Sequence, residues 1–267
     1  MGDKQKIRPK KRLGQNFLSE IGIIKKLIGA AKIQPGETIL EIGPGTGNLT
    51  AELAKTGNRV IAAEKDRQMV DFLREKFRGA DNFELVLADA LKFDESKIKP
   101  PYKIIANLPF YAAAPIIRKF LESQNPPALM SLIVQKEVAQ RICARAPKMN
   151  LLALSVQFYA APQIVGYVSK GSFWPAPKVD AAILRLMLLP KEGERADKQF
   201  ARKFFKVAGA GFSHPRKMLA GNLAQALKLP REDIVKKLAT CQIPQNTRAQ
   251  NLSPQKWIEL TRAFDLS

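Results

Sequence analysis

The residues best suited to chemistry are Asn107-Leu108-Pro109-Phe110-Tyr111, which follow the apolar run Lys103-Ile104-Ile105-Ala106. The side-chain oxygen of Asn107 and the main-chain carbonyl of Leu108 are two acceptors one residue apart, and Pro109 removes the backbone freedom that would let them drift. Phe110 adds a flat apolar face, and a nucleobase stacked on such a ring gains about 1–3 kcal/mol. Together these groups suit an exocyclic amine on an aromatic base. Each oxygen takes one N–H, so the nitrogen lone pair, otherwise delocalised into the ring, is turned towards an electrophile. No general base is needed, because the proton can leave after the transfer. The plainer reading of the segment is a proline turn with core aromatics.

An electrophile has to be held nearby. Thr38-Ile39-Leu40-Glu41-Ile42 reads as a buried strand, Gly43-Pro44-Gly45-Thr46-Gly47 as a turn that brings backbone close to a ligand, and Asn48 opens a helix through Leu49 and Leu53. Strand, glycine turn and helix in this order begin a nucleotide-binding open α/β sheet, although a tight connection without a ligand has the same pattern. A dinucleotide fingerprint would carry glycine where Asn48 stands. Glu41, two residues before Gly43, suits a positively charged ligand better than a pyrophosphate. The combination resembles the first motif of the S-adenosylmethionine-dependent methyltransferases, which implies a sulfonium methyl donor as cofactor.

The remaining elements position these groups. Arg59 to Ala63 reads as a second strand ending in Glu64, an acid placed to accept from both ribose hydroxyls or, alternatively, to stand at the N-terminus of a helix over 66–77. Phe83 to Leu87, a third strand, delivers Asp89, an acceptor for an adenine amino group. Lys103 to Ala106 is the fourth. Ligands of open α/β sheets bind at the carboxyl ends of the strands, so Asn107 is expected in the same crevice as Gly43, Glu64 and Asp89. Leu129 to Val134, Ile164 to Val168 and Ala181 to Leu188 complete a mostly parallel, seven-stranded Rossmann-like α/β sheet. Leu151 to Phe158 is apolar throughout and fits a buried helix or a strand. Ahead of the sheet, Ser19 is expected to cap a helix with Ile21, Ile24, Leu27 and Ile28 on one face, lying over the cofactor cleft. Phe173-Trp174-Pro175-Ala176-Pro177 is a rigid loop in which Phe173 is either the second wall of a base pocket or packing beneath the loop. Strands stop at Pro190, which predicts a sheet domain over 13–189 and an all-helical domain over 190–267, with a last helix capped at Ser253-Pro254.

Charge points to the partner. Lys and Arg number 44 against 24 Asp and Glu, a formal net charge of +20. Such an excess favours a polyanion, with nucleic acid ahead of an anionic membrane. Residues 1–12 hold six Lys/Arg, among them Lys10, Lys11 and Arg12, and form a basic arm suited to lying on phosphates or, failing that, a solvated tail. No apolar run reaches the roughly 18 residues that cross a bilayer, and no signal-peptide core follows the basic start, so a cytoplasmic protein is expected. A basic leader also leaves an organelle origin open. Cys143 and Cys241 form no ligand or redox pair and His214 is the single histidine, which argues against zinc, histidine-base and disulfide chemistry.

Taken together, Leu13-Gly14-Gln15-Asn16-Phe17-Leu18, Glu41 to Asn48, Asn107 to Tyr111, Gln135 to Ala139, Phe173 to Asp180, Arg216-Lys217, Arg248-Ala249 and Leu252-Ser253 resemble the ribosomal RNA adenine dimethyltransferases of the KsgA type. The resemblance runs nearly end to end. It implies transfer of four methyl groups from S-adenosylmethionine to N6 of two adjacent adenosines in the 3′-terminal hairpin loop of 16S rRNA, and a monomer that acts on the immature small ribosomal subunit. It also implies that Asn16, Leu18, Gly43, Glu64, Asp89 and Asn107 contact the cofactor, that Asn107, Leu108, Pro109 and Phe110 form the catalytic motif, and that Arg216, Lys217 and Arg248 hold RNA with the basic arm. A loop adenosine is already largely unpaired, so extruding it costs little. The chain departs from the family pattern at Phe110, where Tyr is common, at Ala112-Ala113 in place of Ile-Ser, at Lys148-Met149-Asn150, which lacks a Tyr-Gly, and at Ser213-His214. Two rivals use the same fold: an Erm-type methyltransferase of 23S rRNA, and a noncatalytic nucleic-acid-binding assembly or transcription factor.

Overall fold

The computed structural model describes residues 15–265. A two-residue strand, β1 (Phe17–Leu18), and α1 (Ile21–Ala31) come first. The alternating run β2 (Thr38–Ile42), α2 (Asn48–Ala54), β3 (Arg59–Glu64), α3 (Arg67–Lys76), β4 (Phe83–Leu87), β5 (Tyr102–Asn107), α4 (Ala113–Glu122) and β6 (Leu129–Gln135) follows. Then come α5 (Lys136–Ile142), α6 (Leu151–Gln157), β7 (Ala160–Val168), β8 (Phe173–Trp174) and β9 (Ala181–Leu188). The last helices are α7 (Lys198–Gly211), α8 (Leu219–Leu227), α9 (Arg231–Thr240) and α10 (Pro254–Arg262).

The chain divides into two compact units. One contains the described residues up to Ala139 together with 163–188, and the other contains 140–162 and the chain from Leu189 onward. The helical unit therefore takes in α6 and its neighbours, a stretch expected within the sheet domain.

In the first unit, seven strands run in the order β4-β3-β2-β5-β6-β9-β7. β2 is parallel to β3 and β5, β3 to β4 and β5 to β6, while β9 is antiparallel to β6. This is the mostly parallel α/β sheet expected from the sequence. Its central strands read as unbroken apolar runs because helices cover both faces: Ile39, Leu40, Ile104, Ile105 and Ile133 are wholly buried. Strand order reverses where β2 meets β5, and that reversal opens a crevice at the carboxyl ends of these strands.

α1 differs from its expected place. It packs on β5, β6 and β9, with Ile24 and Leu27 wholly buried, and the Ser131 hydroxyl donates to the Leu27 carbonyl at 2.7 Å. A helix whose apolar stripe is used up on the sheet face has no residue left for the cleft. Nor does Ser19 cap it: Glu20 is the N-cap residue, and the Ser19 hydroxyl donates instead to the Ser172 carbonyl at 3.1 Å. A β1–β8 ribbon, absent from the sequence expectations, pairs Phe17 with Trp174 and Leu18 with Phe173.

The helical unit has a core of its own. Phe158 stacks on Phe204 at 4.3 Å between centroids, and Phe212 on the buried Trp257 at 5.3 Å. Asn150 settles the state of 151–157: its side chain accepts from Ala153 N, capping α6 as a helix. Ser253 caps α10 in the same way, with Pro254 in the first turn. No helix among the described residues is long and apolar enough to cross a membrane.

Candidate active site

The crevice at the reversal point is lined by Gln15 to Leu18, Glu41 to Thr46, Glu64, Lys65, Asp89 and Asn107 to Ala112, and it encloses about 1090 Å³ counting its open mouth. Small-molecule sites fall in this range or just below it. Of the residues singled out in the sequence, Asn16, Leu18, Gly43, Glu64, Asp89, Asn107, Leu108, Pro109 and Phe110 share this wall. Phe173 does not. It is buried at 4% exposure, edge-on to Phe110 at 6.5 Å, so it supports the Phe110 ring from behind and corresponds to packing beneath the loop.

The glycine turn makes room in two ways. Gly43 has φ +68° and nothing within 4 Å of where a Cβ would stand, so a ligand can lie against its backbone. Gly45, at φ +55°, serves the protein itself: a Cβ there would lie 2.8 Å from the Phe17 ring, which occupies that space.

Two asparagine side chains then fasten the segment carrying Phe17. Asn107 Nδ2 donates to the Asn16 carbonyl at 2.8 Å, and Asn48 Nδ2 donates to the Leu18 carbonyl at 2.9 Å. A carbonyl only accepts, so the amide of Asn107 must present its nitrogen to Asn16, which leaves Oδ1 as the acceptor for another donor. The neighbouring peptide is fixed as well: Leu108 N–H donates to the Ile133 carbonyl at 3.2 Å, and Ala112 N–H to the Pro109 carbonyl at 2.9 Å. The opposite side of the fastened segment is held by the β1–β8 ribbon and by the Ser172 hydroxyl, which donates to Glu20 at 2.5 Å.

Three acidic side chains, Glu41, Glu64 and Asp89, line the cleft. Glu64 is buried at the end of β3 and accepts from the Asp66 N–H at 2.8 Å, while Asp66 rather than Glu64 caps α3. Burial raises the Glu64 carboxyl above the usual range. Burial also pushes the Glu41 carboxyl up to about 8; the Thr50 hydroxyl, donating at 2.6 Å, and Lys76 oppose this, while Glu64 adds to it. One oxygen of Asp89 accepts from Leu91 N at 2.9 Å and the other lies 4.0 Å from the Lys65 ammonium, which also donates to the Tyr111 hydroxyl at 3.0 Å. The hydroxyl and Asp89 hold Lys65 above the usual lysine range. A cation entering between these carboxylates recovers part of their desolvation cost.

Sequence reasoning gave no such role to Asn48, Thr50, Phe17 or Lys65. The asparagine standing where a dinucleotide turn has glycine was the available signal for Asn48. Of the expected RNA contacts, Lys10, Lys11 and Arg12 lie outside the described residues. Arg216, Lys217 and Arg248 are exposed on the helical unit, where the Leu219 N–H donates to the Thr247 carbonyl at 2.8 Å and so joins their two segments. No cluster of metal-ligating side chains occurs among the described residues.

Comparison with known proteins agrees with this geometry. Residues 6–265 match the model of the family described as ribosomal RNA adenine dimethylase. The chain is 40% identical over 257 residues to a protein named ribosomal RNA small subunit methyltransferase A from Dehalococcoides mccartyi strain CBDB1, covering 95% of this chain and 88% of the relative. In structure it resembles a dimethyladenosine transferase from Plasmodium falciparum, with a TM-score of 0.76, 25% identity and coverage of 91% and 95% of the two chains. It also resembles the 23S rRNA methyltransferase ErmE, with a TM-score of 0.74, 25% identity and coverage of 94% and 100%. The match spans nearly the whole chain: this protein belongs to the ribosomal RNA adenine dimethylase family.

Proposed function

We propose that the protein is an S-adenosylmethionine-dependent dimethyltransferase acting on N6 of two adjacent adenosines in the 3′-terminal hairpin loop of 16S rRNA, within the immature small ribosomal subunit. The observation that carries this reading is the orientation of Asn107, whose donated hydrogen bond to Asn16 leaves Oδ1 for an incoming amine at the tip of β5. Asn107 Oδ1 and the Leu108 carbonyl each accept one N6 hydrogen, and Phe110 offers its ring to the base.

The cleft fits the cofactor. Gly43 offers open backbone, Glu64 an acceptor for ribose hydroxyls, Asp89 an acceptor for the adenine amine, and Glu41 a buried carboxyl that a nearby cationic end would draw towards its charged form, with Asn16 and Leu18 closing the near side. When bound, S-adenosylmethionine supplies a methyl group activated by a sulfonium centre. The chain's own residues strip the amine of water and restrict its rotation.

Arg216, Lys217 and Arg248 on the helical unit, with Lys10, Lys11 and Arg12, hold RNA phosphates, and the protein works as a cytoplasmic monomer. The 40% identity to a small subunit methyltransferase supports this target, whereas the likeness to ErmE keeps 23S rRNA as the rival. Mass mapping of methylated adenosines after incubation with under-methylated small subunits, and separately with large subunits, decides between them. Two adjacent dimethyladenosines in the small subunit are expected. Methylation confined to the large subunit refutes the assignment, and no methylation of either would favour a noncatalytic role.

A further inference from the structure

Trp174 is exposed where a large aromatic side chain is usually covered. It retains 56% exposure, whereas its neighbour Phe173 is buried at 4%. The alternation follows from the ribbon, in which successive residues of β8 face opposite ways. Trp174 lies opposite Phe17 in the β1–β8 pair, and the two rings stack at 6.4 Å with 24° between planes. Phe17 lines the cleft, so the exposed indole is stacked directly on a residue of the active-site wall. The lysines of the same loop, Lys170 and Lys178, are exposed and are absent from the ion pairs found among the described residues; the nearby Asp180 accepts from the Lys170 backbone N–H at 3.1 Å.

An aromatic platform flanked by lysines is the combination that binds unpaired nucleic acid, with the ring taking a base and the ammonium groups taking backbone phosphate. We propose that Trp174 stacks an unpaired nucleobase adjacent to the adenosine under modification, with Lys170 and Lys178 on its phosphates. The site rests on the RNA-methylating function assigned above. It provides a place for the neighbour of the target adenosine while that adenosine occupies the cleft. Stacking tolerates every base, so the contact sets position along the strand and not sequence.

Only two tryptophans are present, and Trp257 is wholly buried in the helical unit, so emission that responds to RNA reports on Trp174. The test titrates an RNA hairpin with two adjacent unpaired loop adenosines into the full-length protein and into Trp174→Phe, whose difference isolates the Trp174 signal. Quenching of the difference signal is expected. In steady-state assays on under-methylated small subunits, Trp174→Leu should raise the RNA KM on the order of ten-fold and Trp174→Phe much less, with cofactor affinity unchanged in both. An unquenched difference signal overturns the proposal. So does a Trp174→Leu effect that falls on cofactor affinity, since the indole would then merely support Phe17. Wild-type protein that methylates neither hairpin nor subunit would defeat the functional assignment itself, a result distinct from active enzyme with an indifferent Trp174.

Discussion

Asn107 and Asn16 are joined by a hydrogen bond in which the side-chain nitrogen of the first donates to the main-chain oxygen of the second at 2.8 Å. The bond crosses from the tip of β5 to the segment that forms the near side of the cleft. The residue proposed to hold the target amine is therefore oriented by the segment proposed to cover the cofactor. Docking of residues 15–18 and orientation of the acceptor are one structural event.

Asn48→Ala removes the second fastening of that segment, the 2.9 Å bond to the Leu18 carbonyl. A hydrogen bond of this kind is worth about 1 kcal/mol net, so cofactor affinity should fall roughly five-fold while the RNA KM stays unchanged. Calorimetric titration of cofactor and steady-state kinetics check both. An unaltered cofactor affinity would show that the Asn107 bond to Asn16 and the β1–β8 ribbon hold residues 15–18 without Asn48.

Gly43→Ala and Gly45→Ala should differ although both glycines have positive φ. Each substitution carries about 1–2 kcal/mol of backbone strain, but only at Gly45 does the new methyl meet Phe17, at 2.8 Å. Urea unfolding should show Gly45→Ala the less stable by a further 1 kcal/mol or so. Gly43→Ala should lose cofactor binding instead, its methyl projecting into the cleft. Equal stabilities would mean the Phe17 ring moves aside freely.

Glu41 predicts a pH dependence. Its folded-state carboxyl is raised from 4.5 to about 8, so the folded protein holds this proton more tightly than the unfolded chain. The resulting stability is complete below about 4.5 and is lost as pH rises towards 8. Glu41→Gln keeps the neutral shape and removes the titration. Melting scans from pH 5 to 8 should show the wild type losing several degrees more than the variant; parallel curves would contradict the burial of an ionisable Glu41.

Charge reversal at Arg216, Lys217 and Arg248 should weaken small-subunit binding and flatten its salt dependence by roughly one unit of slope for each phosphate that is no longer neutralised. Cofactor affinity should not change, because these residues belong to the helical unit. Filter binding at several salt concentrations measures the slope. An unchanged slope would remove these residues from the RNA interface.

Much of the sheet was legible because a strand buried on both faces must be written in apolar residues, as Ile39-Leu40 and Ile104-Ile105 are. The cleft was legible for a related reason: strand order and the carboxyl-end rule bring Gly43, Glu64, Asp89 and Asn107 together without any side-chain detail. Periodicity had no purchase on Leu151 to Phe158, where polar residues are too few to mark a face, and the Asn150 cap decided it. β7 begins at Ala160, before the expected Ile164, because Ala-Ala-Pro carries no strand signature. The β1–β8 ribbon was invisible: two-residue strands hold only through tertiary contact, and Phe17 and Trp174 lie far apart in the chain. Ser19 misled for the opposite reason, its capping propensity overridden by a tertiary bond to Ser172.

The proposed grip on the adenine amine is tested most directly by Asn107→Ala, with single-turnover methyl transfer and RNA affinity measured on the same under-methylated small subunits. The substitution removes an amine acceptor and leaves every phosphate-binding cation in place. Transfer should fall by at least about 100-fold, as for loss of a preorganised polar group in an active site, while RNA affinity stays within a few-fold. Parallel loss of rate and RNA affinity, or transfer at the wild-type rate, would contradict the role given to Asn107.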